Sequence, residues 1–141
     1  MSGNILDIGC GINKVPDAVG LDIDSHSHAD IIHDLNAYPY PIKDNEFNTI
    51  YAKHIIEHLD DPEGFIKEIY RILAPQGQVF IETPHFTSYV AYSEPQHKLP
   101  FSYFMLKNIS DKIGFQSINI SFTFYKIFRM VGIKALANRF P

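Results

Sequence analysis

The chain has 141 residues, 45% hydrophobic and 20% charged, with a net charge of −4, enough for one globular domain that buries roughly 70% of its unfolded surface. No basic stretch leads into an apolar segment at the start, so no secretory leader is expected, and every apolar run stops short of the roughly 20 residues that cross a bilayer. One cysteine, Cys10, excludes an intramolecular disulfide framework and suits a reducing cytosol, which makes the expected location cytoplasmic.

In chain order, "NILDIG" reads as a short apolar strand running into Gly9. The turn that follows, D-I-G-C-G, has no β-carbon at Gly9 or Gly11, so its backbone can pass close to a ligand. "INKVPDAV" is too short for a full helix, and "DAVGLDID" is a second strand ending in Asp22 and Asp24. "ADIIHDL" is a third, with Asp34 near its end, and "FNTIYAKH" a fourth. A helix follows. Asp61 can cap it, Pro62 suits its first turn, and Phe65, Ile66, Ile69, Ile72 and Leu73 form one apolar stripe. "APQG" should end it, and "GQVFIET" (77–83) is a fifth strand. Its short β-branched runs with little alternation suit a sheet covered on both faces.

After Pro84, "HFTSYVAYSEPQHKLPF" reads as a loop, followed by a helix over about 102–113. "INISFTF" alternates Ile118, Ile120, Phe122 and Phe124 with polar residues, the mark of a strand with one wet face. "YKIFRMVGIKALANRFP" is basic and apolar, and a helix is expected there. Strands alternating with crossovers give a three-layer α/β sandwich with a mostly parallel sheet, a single domain over 1–141.

Ligands of such sheets bind beyond the carboxyl ends of the strands, where strand order reverses. Asp22 can accept both hydroxyls of a ribose, and Asp34 can take an adenine amino group. Carboxylates at successive strand ends beside a glycine turn point to a nucleoside. A dinucleotide fingerprint needs a third glycine and an acidic residue about 20 positions on. Lys14 stands at that third position and Asp22 follows Gly11 by only 11 residues. Asp7, two residues before Gly9, suits a ligand bearing an ammonium group better than a pyrophosphate.

The segments "LDIGCG", "VGLDID", "HDLNAYPYPIKDNEFNTIYAKHIIEHL" and "EIYRILAPQGQVFIETPH" resemble the successive motifs of class I S-adenosylmethionine-dependent methyltransferases, the small type 11 branch, over residues 4 to about 104. The resemblance implies a Rossmann-like fold, here shortened at the N-terminus and lacking the seventh strand. It implies S-adenosylmethionine as cofactor, with Asp7, Gly9 and Gly11 around its methionine part and Asp22 on the ribose. Asp34 with the backbone of Leu35 would hold the adenine, and Ala52 to His54 would face the sulfonium. Cys10, Ile23 and Lys53 complete the expected cofactor-binding set. Residues 1–83 would then be the cofactor half and 84–141 the acceptor side.

Six of the seven histidines lie between 26 and 85, and the seventh is His97. In "HIIEH", His54, Glu57 and His58 share a face if the segment is helical. Methyltransferases of small RNA and of quinone pathways carry E-x-x-E-H after the fourth strand plus a later histidine on a divalent metal. That resemblance makes His54, Glu57, His58 and His97 metal-ligand candidates. The inverted-zincin reading of H-x-x-E-H would leave the nucleoside pattern without a purpose. An oxygen acceptor must lose a proton, and His54, His58, His85 or His97 could take it, with His54 and His58 the catalytic candidates.

Residues 1–94 hold 5 Lys/Arg against 15 Asp/Glu, whereas residues 95–141 hold 7 against 1. Aromatics at Phe86, Tyr89, Tyr92, Phe101, Tyr103 and Phe104 precede basic residues at Lys107, Lys126, Arg129 and Lys134. The expected acceptor is therefore a small anionic, glycan-linked or lipid-linked molecule, with peripheral membrane contact and no DNA. Two alternatives stand beside it: a noncatalytic or truncated cofactor-binding relative, and a nucleotide-dependent oxidoreductase.

Overall fold

In the computed structural model, which describes residues 4–116 and 118–123, six strands form one sheet. They are β1 (Ile5–Ile8), β2 (Val19–Asp22), β3 (Ile31–Ile32), β4 (Phe47–Lys53), β5 (Leu73–Pro84) and β6 (Asn119–Thr123), in the order β3-β2-β1-β4-β5-β6. Every pairing is parallel. The order reverses between β1 and β4, so the switch lies where Ile8 pairs with Ala52. A one-turn 3-10 helix (Ile56–His58) and the helix α1 (Pro62–Ile72) join β4 to β5, and α2 (Val90–Ser93) and α3 (Tyr103–Ile113) join β5 to β6.

Two of the three expected helices lie within the described residues and both form, α1 for the expected reasons. The Asp61 carboxylate accepts from the Gly64 N–H at 2.9 Å, and Pro62 opens the first turn. Ser102 caps α3 through the Met105 N–H, and Gly114 ends it in the left-handed conformation. Phe65, Ile66, Ile69 and Ile72 of α1 are fully buried against Leu6, Ile8, Ile50, Ala52, Val79 and Ile81 of the sheet. On the opposite face Tyr51 and Phe80 stack, with ring centroids 5.1 Å apart and both rings half-buried.

Some boundaries move. β5 begins at Leu73 rather than 77, because Leu73 already pairs with Phe47; the ladder then skips to Gln78 opposite Thr49, and "APQG" bulges between them. β3 keeps only two residues. Asp34 ends it by accepting the Asn36 N–H at 2.9 Å in a side-chain turn. "HIIEH" is helical only from Ile56 onward, since His54 leaves β4 with φ of 55°. His54, Glu57 and His58 therefore do not share a helix face. Phe124 and the basic segment 125–141 lie outside the described residues, and with them Lys126, Arg129 and Lys134.

Candidate functional site

The turn after β1 is tied to the end of β2. The Gly9 N–H donates to the Leu21 carbonyl at 2.7 Å, and the Gly11 N–H donates to Asp22 Oδ2 at 2.8 Å. Both glycines have positive φ, 68° and 51°, which other residues enter only with strain. Their surroundings differ. A β-carbon on Gly9 would collide with Ile55, whereas one on Gly11 would meet nothing within 4 Å. Gly11 therefore borders open space where a ligand can approach its backbone. Gly9 is glycine because Ile55 takes the room.

Asp22 Oδ1 also accepts from the Asp24 N–H at 2.9 Å. Two backbone bonds leave about half of a carboxylate's acceptor positions for ribose hydroxyls. Asp7 is 5% exposed and accepts the Val15 N–H at 2.7 Å, and its burial pushes its carboxyl above the usual range. Cys10 is buried, and its N–H is spent on Leu21 at 3.4 Å; its side chain lies beside Gly20, where a β-carbon would meet it at 2.7 Å. What Cys10 can still offer a ligand is its carbonyl. The Leu35 carbonyl accepts from Tyr40 Oη at 2.9 Å, so its N–H is what remains to present beside Asp34.

Large apolar side chains are exposed at these strand ends: Ile12 at 68%, Ile23 at 61% and Ile32 at 51%. Ile32 pairs with Asp22, and Ile23 follows it. Apolar surface beside a ribose-competent carboxylate suits a purine ring. Glycine backbone with open space, a buried carboxylate for an ammonium, a half-satisfied carboxylate for a ribose and apolar side chains for a base together fit S-adenosylmethionine.

At the other side of the switch, His54 is half-exposed between two carboxylates. Its Nδ1 lies 3.3 Å from Glu57 Oε1 and its Nε2 lies 3.7 Å from Glu82 Oε1. Lys53 is exposed and pairs in register with Glu82. Glu57 also belongs to a cluster with His58 and His97, one ligand atom from each lying within 4.8 Å of the others. The His58 and His97 rings meet edge to face at 4.8 Å, and His97 Nδ1 is buried with no partner among the described residues. His54 stands outside this group, which brings together three of the four candidate ligands. His85 follows β5, with Nδ1 2.8 Å from Thr87 Oγ1, and burial lowers its pKa, so the neutral, proton-accepting form prevails near pH 7.

The expected acceptor aromatics divide. Phe101 is fully buried, whereas Phe86, Tyr89, Tyr92 and Phe104 are 44%, 56%, 66% and 62% exposed. The described lysines of this half are already paired: Lys98 with Asp60, Lys107 with Asp111 and Lys112 with Glu63. Gly20, Ile55, Thr83 and Glu82 were not singled out by sequence. A glycine before "LDID" was the only signal any of them carried. No helix among the described residues is long and apolar enough to cross a membrane.

Known proteins resemble this chain in sequence and in fold. Phosphoethanolamine N-methyltransferase 2 of Caenorhabditis elegans is 28% identical over 150 residues, covering 81% of this chain and 32% of the nematode protein. The chain thus spans about a third of that relative. The mitochondrial ubiquinone biosynthesis O-methyltransferase of Dictyostelium discoideum is 36% identical over 50 residues, 34% of this chain and 16% of that one. A methyltransferase structure from Archaeoglobus fulgidus, dependent on S-adenosylmethionine, superposes with a TM-score of 0.69 at 24% identity, over 82% of this chain and 62% of that one. Haemonchus contortus phosphoethanolamine N-methyltransferase 2, in complex with phosphomonomethylethanolamine and S-adenosylhomocysteine, superposes at 0.66 with 21% identity, over 82% and 34%. A family model described as a methyltransferase domain matches residues 1–120, from before β1 into β6. On that match and this sheet, the chain belongs to the methyltransferase-domain family of class I, S-adenosylmethionine-dependent proteins.

Proposed function

We propose that this chain binds S-adenosylmethionine on the Gly9–Gly11 turn and directs methyl transfer to a small anionic, glycan-linked or lipid-linked acceptor held by residues 84–141. The observation that carries the reading is the Asp22 carboxylate, which braces the Gly11 N–H from the end of β2 while open space lies in front of Gly11. Asp7 would hold the ammonium, Asp22 the ribose, and Asp34 with the Leu35 N–H the adenine, between Ile12 and Ile23. When bound, S-adenosylmethionine supplies an already activated methyl group. The chain's own task is to align the acceptor and exclude water, which is worth several kcal/mol of barrier. His54 or His58, the catalytic candidates, or His85, whose pKa burial lowers, would take a proton from an oxygen acceptor.

Phosphoethanolamine, named in the nematode relative, is a small phosphate-bearing molecule and belongs first in an acceptor screen. The test is calorimetry with S-adenosylhomocysteine and with NAD(P), followed by acceptor screening through S-adenosylhomocysteine release at low and high salt. Binding of NAD(P) alone would replace this reading with an oxidoreductase. Binding of S-adenosylhomocysteine without turnover on any acceptor would support the noncatalytic relative.

The orphaned His97 Nδ1 favours a second function for the adjoining cluster. Glu57, His58 and His97 offer one carboxylate and two imidazoles, a donor set suited to a divalent metal. Such an ion would lie on the acceptor side, where it could polarise a ligand oxygen.

A further inference from the structure

We propose that Glu57 is a positioning residue for the cofactor turn, acting through His54 and Ile55 without touching ligand. The inference rests on the reading of Gly9–Gly11 as the cofactor turn. Glu57 is 2% exposed, and a carboxylate so placed must be satisfied by its neighbours. Its oxygens divide between two partners: Oε1 lies 3.3 Å from His54 Nδ1, and Oε2 accepts from Thr83 Oγ1 at 3.0 Å. Thr83, on β5, is itself fully buried.

His54 carries φ of 55°, a conformation that residues with a β-carbon adopt only when their surroundings hold them there. The surroundings do so. Its N–H donates to the Glu82 carbonyl at 2.7 Å, and its imidazole lies between Glu57 Oε1 at 3.3 Å and Glu82 Oε1 at 3.7 Å. This left-handed pivot aims the next residue, Ile55, back across the switch between β4 and β1. There the Ile55 side chain takes the place a β-carbon would have on Gly9. The turn is thus braced from two sides, by Asp22 from β2 and by Ile55 from β4. Without Glu57 the pivot loses the closer of its two carboxylate contacts. A return of His54 toward right-handed φ would withdraw Ile55 from Gly9 and loosen the turn on its β4 side, leaving it held from Leu21, Asp22 and His28.

Calorimetric titration of S-adenosylhomocysteine in EDTA, so that no metal contributes, tests this. Glu57→Ala should weaken binding roughly tenfold, whereas Glu57→Gln, whose amide oxygen still accepts from Thr83, should stay within about threefold of wild type. Thr83→Val, which removes one hydroxyl and keeps the shape, should fall between them. Leu59→Ala truncates a buried side chain of the same segment (3% exposed) outside this hydrogen-bond chain, and should lower the melting temperature without moving the affinity. The proposal fails if Glu57→Ala binds as wild type does, if Glu57→Gln is as weak as Glu57→Ala, or if Leu59→Ala weakens binding equally. Should Glu57→Ala not fold, unchanged affinity in Thr83→Val overturns it. A wild-type chain that binds no S-adenosylhomocysteine would sink the cofactor reading itself, and wild-type binding with insensitive variants sinks only this one.

Discussion

Gly9 and Gly11 sit two residues apart with similar positive φ, yet an alanine should cost different amounts at each. Both substitutions place a β-carbon in the left-handed region, roughly 1–2 kcal/mol. At Gly11 that is the whole cost, because nothing lies within 4 Å of the new carbon. At Gly9 the new carbon would stand closer than 3.0 Å to two carbons of the Ile55 side chain, an overpacking of roughly 1–3 kcal/mol. Gly9→Ala should therefore destabilise by about 2–5 kcal/mol, and Gly11→Ala by about 1–2. The difference belongs to one side chain, so Ile55→Ala should remove it. The double variant should be more stable than the sum of the single changes predicts, by about 1–3 kcal/mol. Denaturant unfolding of ligand-free protein gives all four corners of the cycle. Additivity within about 0.5 kcal/mol would show that Ile55 does not press on Gly9.

Asp22→Asn should abolish measurable S-adenosylhomocysteine binding. It should also cost about 1–2 kcal/mol of stability, because one of the two backbone N–H groups held by the carboxylate then faces an amide nitrogen; unchanged affinity would place the ribose elsewhere, with Asp24 the first residue to test. Native mass spectrometry of untagged protein with Zn²⁺ or Mn²⁺ should give one bound ion, lost in His97→Ala and in His58→Ala but kept in His54→Ala. Loss in His54→Ala would return His54 to the ligand set, and no bound ion in wild type would leave the His97 cluster purely structural. Burial raises the Asp7 pKa above its unfolded value, so its contribution to stability is present in acid and lost as pH rises through the folded pKa. Ligand-free Asp7→Asn should match or exceed wild type in stability at pH 7 and lose that advantage below about pH 4; a variant less stable than wild type at pH 7 would contradict the sign.

The sheet was legible because its strands are short apolar runs, the first three closed by glycine or aspartate, and α1 because Asp61, Pro62 and the Phe65–Ile72 stripe all say helix. The cofactor end was legible for a related reason. Two glycines and two aspartates at strand ends are polar or small where propensity asks for neither. What sequence did not give was anything set by contact across the sheet. Ile55 looks like any apolar residue of "HIIEH", and only the fold places it on Gly9. The helix period suggested there failed at His54, whose pairing to Glu57 and Glu82 outweighs the preference of a residue with a β-carbon for right-handed φ. Likewise Lys107, read as part of a positive field, is neutralised by Asp111 four residues on in the same helix.

The acidic excess of residues 1–94 acquires a meaning once the fold collects it. Asp7, Asp22 and Asp34 come from β1, the end of β2 and the residues just beyond β3, and Glu82 lies near the end of β5. Asp7 is the most telling of them. Its partner is a backbone N–H; Lys53 and, more weakly, Lys14 lower its pKa through space without pairing with it, and Lys14 is committed to Asp30 at 2.7 Å. A buried carboxylate with one hydrogen bond and no ion pair among the described residues costs stability in the ligand-free fold. Proteins keep such groups where binding recovers the cost. A ligand carrying a positive ammonium, and a positive sulfonium nearer β4, would meet charge of the opposite sign along this end of the sheet. A pyrophosphate would meet repulsion. The charge at this end of the sheet thus points the same way as Lys14 at the third glycine position and the short interval to Asp22, away from a pyrophosphate.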